Sequence, residues 1–400
     1  MTNQSNQTPQ LDMAVDVFNR FSPAMMAALP PSFHAAPNAK YPAEEVVRFP
    51  IMMCAKKASH RGISVICRDK TDPKKIPSDA TLLNRIGGSS YSVTRDSCDK
   101  MLDLTLAEPR SLGLFRRPVI TASDEHDVPV HFDKFIEEYM AKGKPKSGTS
   151  KMIRYTTTKI VGRAAGFTVA AHPTGKKHAK EDIVYMQIRH MREMGIKSKR
   201  HLFDKGFYKA AVIKALEKAR QSFIMPARWS KRMDKIVARY DQKEIPAVMR
   251  HTVNSGGESA EVTLVIVKRK GSKKNDPLRD RYLVFITDAD VHNARSILAN
   301  IPKIYKKRWG IETGYRCAKQ CRPFTCSKNP SVRLVHFYFT MIIYNIWVMV
   351  NWHARRKTPG RSDARPVIEM YRMMEKFWGL CLAVILRGVT TDLFFMEEIG

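Results

Sequence analysis

The sequence YKKRWGIETGYRCAK, residues 305–319, decides how the rest of the chain is interpreted. In an α-helix, at about 100° per residue, its main polar residues fall within a sector of about 80°. This polar set consists of Tyr305, Arg308, Glu312, Arg316 and Lys319. The other side carries the apolar residues Ile304, Trp309, Ile311 and Ala318. The pattern therefore predicts a packed helix with one polar stripe, in which a single acid stands among bases and a phenol.

A carboxylate surrounded by cations is the arrangement that metal-dependent chemistry on phosphates requires. Carboxylate oxygens are ligands that Mg²⁺ and Mn²⁺ prefer, and neighbouring cations can hold a phosphate backbone in line for attack. A solvated charged face is the alternative, but the apolar side of the helix favours a packed setting. Glu312 is therefore predicted to be a metal ligand.

Two aspartates directly follow short apolar strands, where open α/β sheets place their active sites. Residues 118–123 form a run rich in β-branched side chains that ends at Asp124. Residues 201–203 form a second short strand that ends at Asp204. We predict that these two carboxylates join Glu312 in one site.

Other aspartates compete for the same two positions. The competitors are Asp127 and Asp133 for the first position, and Asp288 and Asp290 for the second. The first pair lies close to Asp124 in the sequence, and either residue could replace it. The second pair ends another predicted strand, residues 282–287, but lacks the Gly-Phe-Tyr and helical context that follows Asp204. Asp204 is therefore preferred.

Four spaced residues match the Y-x2-R-x3-E-x6-K signature of DDE insertion-sequence transposases, which the chain resembles from about residue 118 to residue 355. These residues are Tyr305, Arg308, Glu312 and Lys319. Residues 203–208 resemble the second-aspartate segment of the family, and residues 123–127 resemble its first. The stretches 309–313, 329–333 and 344–347 look like the archaeal branch of the group. The match is specific because the spaced residues coincide with two strand-end acids in the right order.

The resemblance implies a ribonuclease-H-like catalytic core interrupted by a β-strand insertion, with a helical N-terminal DNA-binding region. It also implies that two divalent ions, Mg²⁺ or Mn²⁺, activate the attacking hydroxyl and stabilise the leaving oxygen. The metal ligands and catalytic residues would be Asp124, Asp204 and Glu312. The residues that contact DNA would be Tyr305, Arg308, Arg316 and Lys319.

Strands and helices alternate along most of the chain, which independently predicts an α/β architecture. Residues 78–104 have the helix, glycine turn and helix outline of a helix-turn-helix unit, although many helical hairpins share it. The predicted organisation is a weakly ordered segment 1–45, in which residues 13–21 could form a short helix, a helical DNA-binding domain 46–115, a first part of the catalytic core 116–228, a β-rich insertion 229–290, a last part of the core 291–357, and a C-terminal helical segment 358–400.

The net charge of the 400-residue chain is +31, from 69 Lys and Arg against 38 Asp and Glu. The bases lie mainly between residues 48 and 357 and alternate with apolar segments, so they belong to folded structure rather than to a basic tail. Such an excess favours an anionic polymer as partner, and double-stranded DNA is the first candidate. A ribosome-associated or merely basic protein is the alternative that composition leaves open.

Composition and motifs disfavour several other classes of protein. A hydrophobic content of 44% excludes wholesale disorder, and seven cysteines are few for a disulfide scaffold of this length. The apolar run 335–350 is shorter than the roughly 18 residues of a membrane helix, so no membrane partner is expected. Residues 143–149 lack the lysine of a phosphate loop, so no nucleotide triphosphate is expected either.

The sequence also bears on a zinc site and on the cellular location. Zinc is disfavoured because the available ligands lack paired CxxC spacing; these ligands are Cys317, Cys321, Cys326 and His336. The N-terminus shows no signal peptide, so a cytoplasmic, nucleoid-associated location is expected.

The function predicted from these features is a DNA transposase that cuts and joins DNA at terminal inverted repeats. A homodimer in synapsis is what the resemblance implies. The alternatives are a basic DNA-binding protein without catalysis, such as an inactivated relative, and a nuclease of the same fold that does not join ends.

Overall fold

A computed structural model describes residues 8–34, 39–132, 140–162, 166–175, 177–357 and 366–387. The strands in these ranges form one mixed sheet of nine. They are β1 (Val119–Pro129), β2 (Met140–Lys146), β3 (Thr149–Val161), β4 (Thr168–Pro173), β5 (Ser198–Phe203), β6 (Phe223–Pro226), β7 (Val248–Ser255), β8 (Glu258–Lys268) and β9 (Tyr282–Thr287).

β1 lies near the middle of the sheet and pairs antiparallel with β3 and parallel with β5. The order is β2-β3-β1-β5-β6-β9-β8-β7, and β4 also pairs with β3. The pairing of β1 with β5 ends at Ser123 opposite Phe203, whereas its pairing with β3 continues to Pro129. The residues that follow the last parallel pair are therefore Asp124 and Asp204.

Helices cover the sheet and build the N-terminal region. The N-terminal helices are α1 (Thr8–Ala28), α2 (Ala43–Lys56), α3 (His60–Arg68), α4 (Asp79–Gly87), α5 (Tyr91–Leu104) and α6 (Ala107–Ser111). The others are α7 (Lys180–Glu193), α8 (Ala210–Lys218), α9 (Lys231–Asp241), α10 (Leu278–Arg281), α11 (Ala294–Tyr305), α12 (Trp309–Ala318), α13 (Pro330–Lys357) and α14 (Met370–Arg387).

α13 is the central helix of the molecule. Nearly all its residues from Ser331 to Asn351 are buried, and it contacts α1, α4 and α5 as well as α12 and β4. Its length and composition would suffice to cross a membrane, but 94% of its most apolar 18-residue window is buried inside the protein. A helix that is apolar on all sides and buried by other elements is typical of a protein core.

The hairpin of α4 and α5 agrees with the sequence pattern except at one boundary. The Ser78 hydroxyl caps α4 by accepting a hydrogen bond from the Thr81 amide, 3.1 Å away. α5 begins at Tyr91, earlier than the predicted Thr94, because Ser90 supplies its N-cap. The Thr94 hydroxyl then bonds to the Ser90 carbonyl (2.8 Å), as a residue inside the first turn can.

The short helix expected near residues 13–21 is part of a longer one, since residues 8–28 form α1 and are not weakly ordered on either side of it. Phe18 is buried, and its ring centroid lies 5.1 Å from that of Phe377 in α14. Met13, Ala14 and Val17 are buried on the same helix. Tertiary packing supplies most of the stability of such a helix, so its polar and proline-containing composition did not reveal its full length.

The expectation of strands throughout residues 229–280 is wrong for α9. The Ser230 hydroxyl caps this helix at the Met233 amide (3.2 Å), and Met233 and Val237 are buried one turn apart. The strands that follow α9 do not form a separate layer, since β9 pairs with β6 and β8 pairs with β9. The inserted strands therefore extend the sheet that carries Asp124 and Asp204.

Candidate active site

The sequence pattern predicts that the strand ends at Asp124, but the structure places Asp124 inside β1, which continues to Pro129. The strand continues because its next residues find partners: the Glu125 carboxylate lies 2.9 Å from Lys180 Nζ. Side chains alternate along a strand, so Glu125 points to the face opposite Asp124. On the other side, the Tyr315 hydroxyl of α12 donates a hydrogen bond to the Asp124 backbone carbonyl (3.1 Å).

Asp204 directly follows β5, as predicted. Its Oδ1 accepts a hydrogen bond from the Gly206 amide (2.7 Å) and thereby caps a 3₁₀ turn, residues 205–207. Its negative charge acts on Asp124 strongly enough to raise the pKa of that carboxyl group. The two aspartates therefore lie near each other, on neighbouring strands at one edge of the parallel pair.

The helix predicted over residues 301–319 is divided by a 3₁₀ turn. α11 ends at Tyr305, the turn covers Lys306–Arg308, and α12 begins at Trp309. Each 3₁₀ residue advances about 120° instead of about 100°, so three residues rotate the following face by about 60°. The prediction that Trp309 packs is wrong, since 57% of its surface is exposed. It lies three residues before Glu312 and so about 60° from it around α12, beside the polar stripe.

The guanidinium group of Arg308 joins two of the three predicted acids. Its Nη1 lies 3.4 Å from Asp124 Oδ2, and its Nη2 contacts Glu312 Oε1. The side chains of Arg308 and Asp124 are only 14% and 18% exposed. Charge-assisted hydrogen bonds in such a shielded place are stronger than on an open surface. The structure thus brings Asp124 and Glu312 together around one cation.

The pKa of Asp124 reflects both its burial and the neighbouring charges. Burial is the largest cause, and together with the charges of Asp204 and Glu312 it raises the pKa from 3.8 to about 7 against the lowering effect of Arg308. Burial also raises the pKa of Tyr305 to about 12, so its phenol keeps its proton. The site therefore favours a cation among the carboxylates and retains a hydroxyl donor beside them.

The remaining residues of the polar stripe are exposed. Arg316 and Lys319 lie on the solvent side of α12 and its end. Burial, followed by the charges of Lys146 and Arg322, lowers the pKa of Lys319. Cations from β2, from the end of α12 and from the following segment therefore lie near one another.

One competitor for the first aspartate position, Asp127, lies on the wrong face of β1. Asp127 forms a two-point contact with Arg154, at 2.7 and 2.9 Å, on the face of β1 opposite Asp124. That contact uses both its carboxylate oxygens. Asp133 lies outside the described residues. Of the acids that can be compared, Asp124 is the one that faces Glu312.

The competitors for the second position lie at the wrong edge of the sheet. Asp288 Oδ1 accepts a hydrogen bond from the Phe223 amide (2.9 Å), at the beginning of β6. Asp290 caps a 3₁₀ turn, residues 291–293. Because β9 runs antiparallel to β6, its end lies opposite the edge at which β5 ends. Asp204 is the second aspartate that lies near Asp124.

The donor set fits a hard divalent cation. Asp124, Asp204 and Glu312 offer only carboxylate oxygens, which suit Mg²⁺ and Mn²⁺, and their mutual repulsion is what such an ion relieves. As the side chains stand, no group of three or more His, Cys, Asp or Glu residues in the described ranges is arranged to hold a metal ion. Arg308 lies between two of the carboxylates, so a bound ion would replace it as the counter-charge of at least one.

The disfavoured zinc ligands do not converge in the part of the chain that the structure describes. Cys321 is buried, and its thiol bonds to the Ala318 carbonyl (3.2 Å), whereas Cys326 is exposed. The His336 ring stacks on His60 with centroids 5.0 Å apart. Cys321 and His336 therefore belong to the packed interior.

Three residues close to the acids were not predicted from the sequence. Tyr315 lies one turn after Glu312, and His201 lies three residues before Asp204; a search for polar residues one turn or a few positions from each acid would have found both. Lys159 is fully buried, with its Nζ 4.0 and 5.0 Å from the ring centroids of Tyr344 and Tyr315. Nothing in its local sequence distinguishes it from a strand residue whose side chain points to solvent.

A family model described as a transposase DDE domain matches residues 116–346, more than half of the chain. A comparison with curated proteins found no match. Among solved structures, the chain is similar to the piggyBac transposase in a cryo-EM synaptic complex with hairpin DNA. The TM-score is 0.60 at 12% sequence identity, over 98% of this chain and 86% of that chain. The likeness confirms the predicted ribonuclease-H-like α/β fold with a helical N-terminal region.

Proposed function

The chain belongs to the DDE transposases, enzymes that catalyse DNA transposition, and from this membership we propose that it acts on the terminal inverted repeats of an insertion sequence. We assign it to the branch with the Tyr-Arg-Glu-Lys signature, of the archaeal type. The reaction is divalent-metal-dependent cleavage at the ends, followed by transfer of the freed strands to target DNA.

The observation that carries the proposal is the contact of Arg308 with both Asp124 and Glu312. These two acids are 188 positions apart in the sequence. Asp204 adds its charge to the same place. Two acids from distant parts of the chain contact one shielded cation at one edge of the sheet, and the charge of a third acts on the first of them. This is the position at which open α/β sheets carry their active sites.

In the proposed mechanism, Asp124, Asp204 and Glu312 would hold two ions, Mg²⁺ or Mn²⁺. When bound, these ions would activate a nucleophile, water or a DNA 3′-hydroxyl, and would neutralise the charge on the leaving oxygen. Arg308 is placed to move from the carboxylates to a phosphate, and the Tyr305 phenol is a donor within the same shielded region. Arg316 and Lys319, which face solvent, would bind the DNA backbone on either side of the scissile phosphate.

Double-stranded DNA is the proposed partner, and a net charge of +31 supports it. The similar piggyBac structure is a synaptic complex with hairpin DNA. By that likeness we propose that two copies of this chain hold two transposon ends together during cleavage.

Replacement of Glu312 by Gln tests the proposal. We expect specific binding to end DNA to persist, because the exposed cations remain, and Mg²⁺-dependent cleavage to fall to background. Glu193→Gln is a matched control, since Glu193 forms the same type of contact with Arg189 (2.7 Å, four residues apart) on α7. Cleavage by Glu312→Gln at the wild-type rate would overturn the assignment.

A strand-transfer assay with pre-cut ends tests the joining step. Wild-type protein should insert such ends into a target plasmid in the presence of Mg²⁺. Hydrolysis of end DNA without any joined product would show a nuclease of the same fold.

A further inference from the structure

The second and third acids are each connected to β1 by a neutral, buried side chain. Tyr315 makes the connection for α12. Its hydroxyl donates to the Asp124 backbone carbonyl (3.1 Å) and accepts from Thr157 Oγ1 of β3 (2.5 Å). Burial raises the pKa of Tyr315 well above its usual range, so the hydroxyl keeps the proton that it donates. Because Tyr315 follows Glu312 by one turn, this bond fixes the height of Glu312 relative to Asp124.

His201 makes the corresponding connection for β5. Its Nε2 lies 2.7 Å from Ser123 Oγ and its Nδ1 lies 3.0 Å from Thr121 Oγ1, both in β1. The ring is completely buried, and burial lowers the pKa of His201 to about 3. The neutral ring therefore donates through one nitrogen and accepts through the other. Three residues later the chain reaches Asp204.

The His201 contact belongs to a chain of polar side chains across the sheet. Ser123 Oγ also lies 2.6 Å from Thr158 Oγ1 of β3, which donates to Gln187 Oε1 of α7 (2.9 Å). Ser123 is the last residue of β1 that pairs with β5, and it immediately precedes Asp124. The network therefore fixes β1 at the residue beyond which the neighbouring strand no longer supports it.

We propose that Tyr315 and His201 are positioning residues that set the separations among Asp124, Asp204 and Glu312, and thereby the affinity of the site for a divalent ion. The inference rests on the proposed function of these acids. Metal sites tolerate deviations of only about 0.2 Å in ligand distances. Loss of a side chain that orients ligands costs about 10- to 100-fold in metal affinity or activity.

A purely structural role makes a different prediction. A buried tyrosine hydroxyl that loses its hydrogen bonds lowers stability wherever it lies. Tyr338 is a matched case in α13, since its hydroxyl contacts the Asp99 carboxylate and the Ala171 carbonyl (2.8 Å), away from the three acids. Tyr338→Phe therefore serves as the control for a general loss of stability.

The test compares Tyr315→Phe, Ser123→Ala and Tyr338→Phe in the full chain. Mn²⁺ binding to the DNA-free protein is measured by electron paramagnetic resonance, and cleavage of end DNA is measured against Mg²⁺ concentration. We expect Tyr315→Phe and Ser123→Ala to weaken Mn²⁺ binding and to raise the Mg²⁺ concentration for half-maximal cleavage, by about tenfold or more. End-DNA affinity should be unchanged, and Tyr338→Phe should shift only the melting temperature.

The outcomes separate the inference from the proposed function. Wild-type metal affinity in both Tyr315→Phe and Ser123→Ala, with active wild-type protein, overturns the positioning roles and leaves the active site intact. An equal loss of metal affinity in Tyr338→Phe also overturns them, because it would reflect general destabilisation. Absence of Mn²⁺ binding and of cleavage in the wild-type protein overturns the proposed function itself.

Discussion

Replacement of Asp124 by Asn isolates the electrostatics of the site from DNA chemistry. Burial, with the charges of Asp204 and Glu312, raises the pKa of Asp124 from 3.8 to about 7. The folded protein therefore binds this proton more tightly than the unfolded chain does. Its free energy of unfolding must fall as the pH rises from about 4 to about 7, where the carboxyl group ionises in the folded state. Asn cannot ionise, so the variant escapes this loss.

The magnitude follows from the size of the pKa change. One pH unit corresponds to about 1.4 kcal/mol, so a rise from 3.8 to about 7 corresponds to about 4 kcal/mol. The attraction of Arg308 for the ionised carboxylate lowers the pKa and is already part of that value. Asp124→Asn should therefore be more stable than the wild type by up to about 4 kcal/mol at pH 8, with the difference growing by about 1.4 kcal/mol per pH unit between about pH 4 and pH 7.

Urea unfolding in EDTA at pH 5, 6, 7 and 8, followed by tryptophan fluorescence, measures this difference. Asp234→Asn is the control, because hydrogen bonds from Arg279 lower the pKa of Asp234 instead of raising it. A lowered pKa contributes stability that is present above the unfolded value and is lost only in acid. The difference between Asp234→Asn and the wild type should thus stay constant from pH 5 to pH 8.

The opposite outcome would refute the reasoning. If the stability of Asp124→Asn relative to the wild type does not increase with pH over this range, Asp124 does not carry a raised pKa. A constant difference, as expected for Asp234→Asn, would mean that Arg308 offsets or outweighs burial and the two neighbouring acids together. The acids would then not form a cation-deficient cluster.

Two further predictions concern the contact of Lys319 with DNA and the packing of α12 against its neighbours. Lys319→Ala should reduce the slope of log affinity against log salt concentration by about 0.9, as the loss of one phosphate contact requires; an unchanged slope in a filter-binding or fluorescence titration would contradict it. Gly314→Ala should destabilise the protein by about 1–3 kcal/mol, because its Cβ would lie 2.7 Å from Lys159 Nζ and 3.0 Å from the Tyr344 hydroxyl. Gly379→Ala, with nothing within 4 Å in α14, should raise the melting temperature slightly, and a fall equal to that of Gly314→Ala would rule out the steric argument.

The sequence predicts those elements whose signals are local. Ser78 caps α4 at the expected residue because a hydroxyl at the N-cap satisfies a free amide of the first turn. The hairpin of β3 and β4 and the buried strand β9 also agree with the pattern of alternating and apolar residues. In each of these cases, the neighbours in the sequence are sufficient to decide the structure.

The errors arise where distant partners decide the structure. Residues 124–129 contain enough polar side chains to resemble a loop, but β3 and the cations Arg154 and Lys180 keep them in β1. α9 is a different kind of error, since Ser230 and the spacing of Met233 and Val237 are local signals that its high charge obscured. Trp309 is a second error of this local kind, since it lies about 60° from Glu312 around α12, beside the polar stripe and not opposite it.

In the candidate site, too, the contacts that depend on local spacing could be predicted, and those that depend on distant partners could not. Glu312 and Arg308 are four residues apart on a helical segment, so their contact is implied by spacing alone. The convergence of Asp124 and Asp204 depends on parallel pairing between β1 and β5, which is implied by the order of strands and helices. The contacts of Tyr315 and His201 required the packing of α12 on β1 and the register of Ser123 with Phe203, which only the structure supplies.

α13 connects the N-terminal helices to the catalytic sheet through bonds made by the same side chains. The Asn345 amide donates to Thr105 Oγ1 beside α5 (2.8 Å) and to the Thr168 carbonyl of β4 (2.8 Å). Tyr338 likewise contacts Asp99 of α5 and Ala171 of β4. Buried polar groups of this kind are costly to leave unpaired, so the two regions cannot separate without breaking several bonds at once. A DNA end held by α4 or α5 would therefore keep a fixed position relative to the three acids, and recognition and cleavage would be coupled without a hinge.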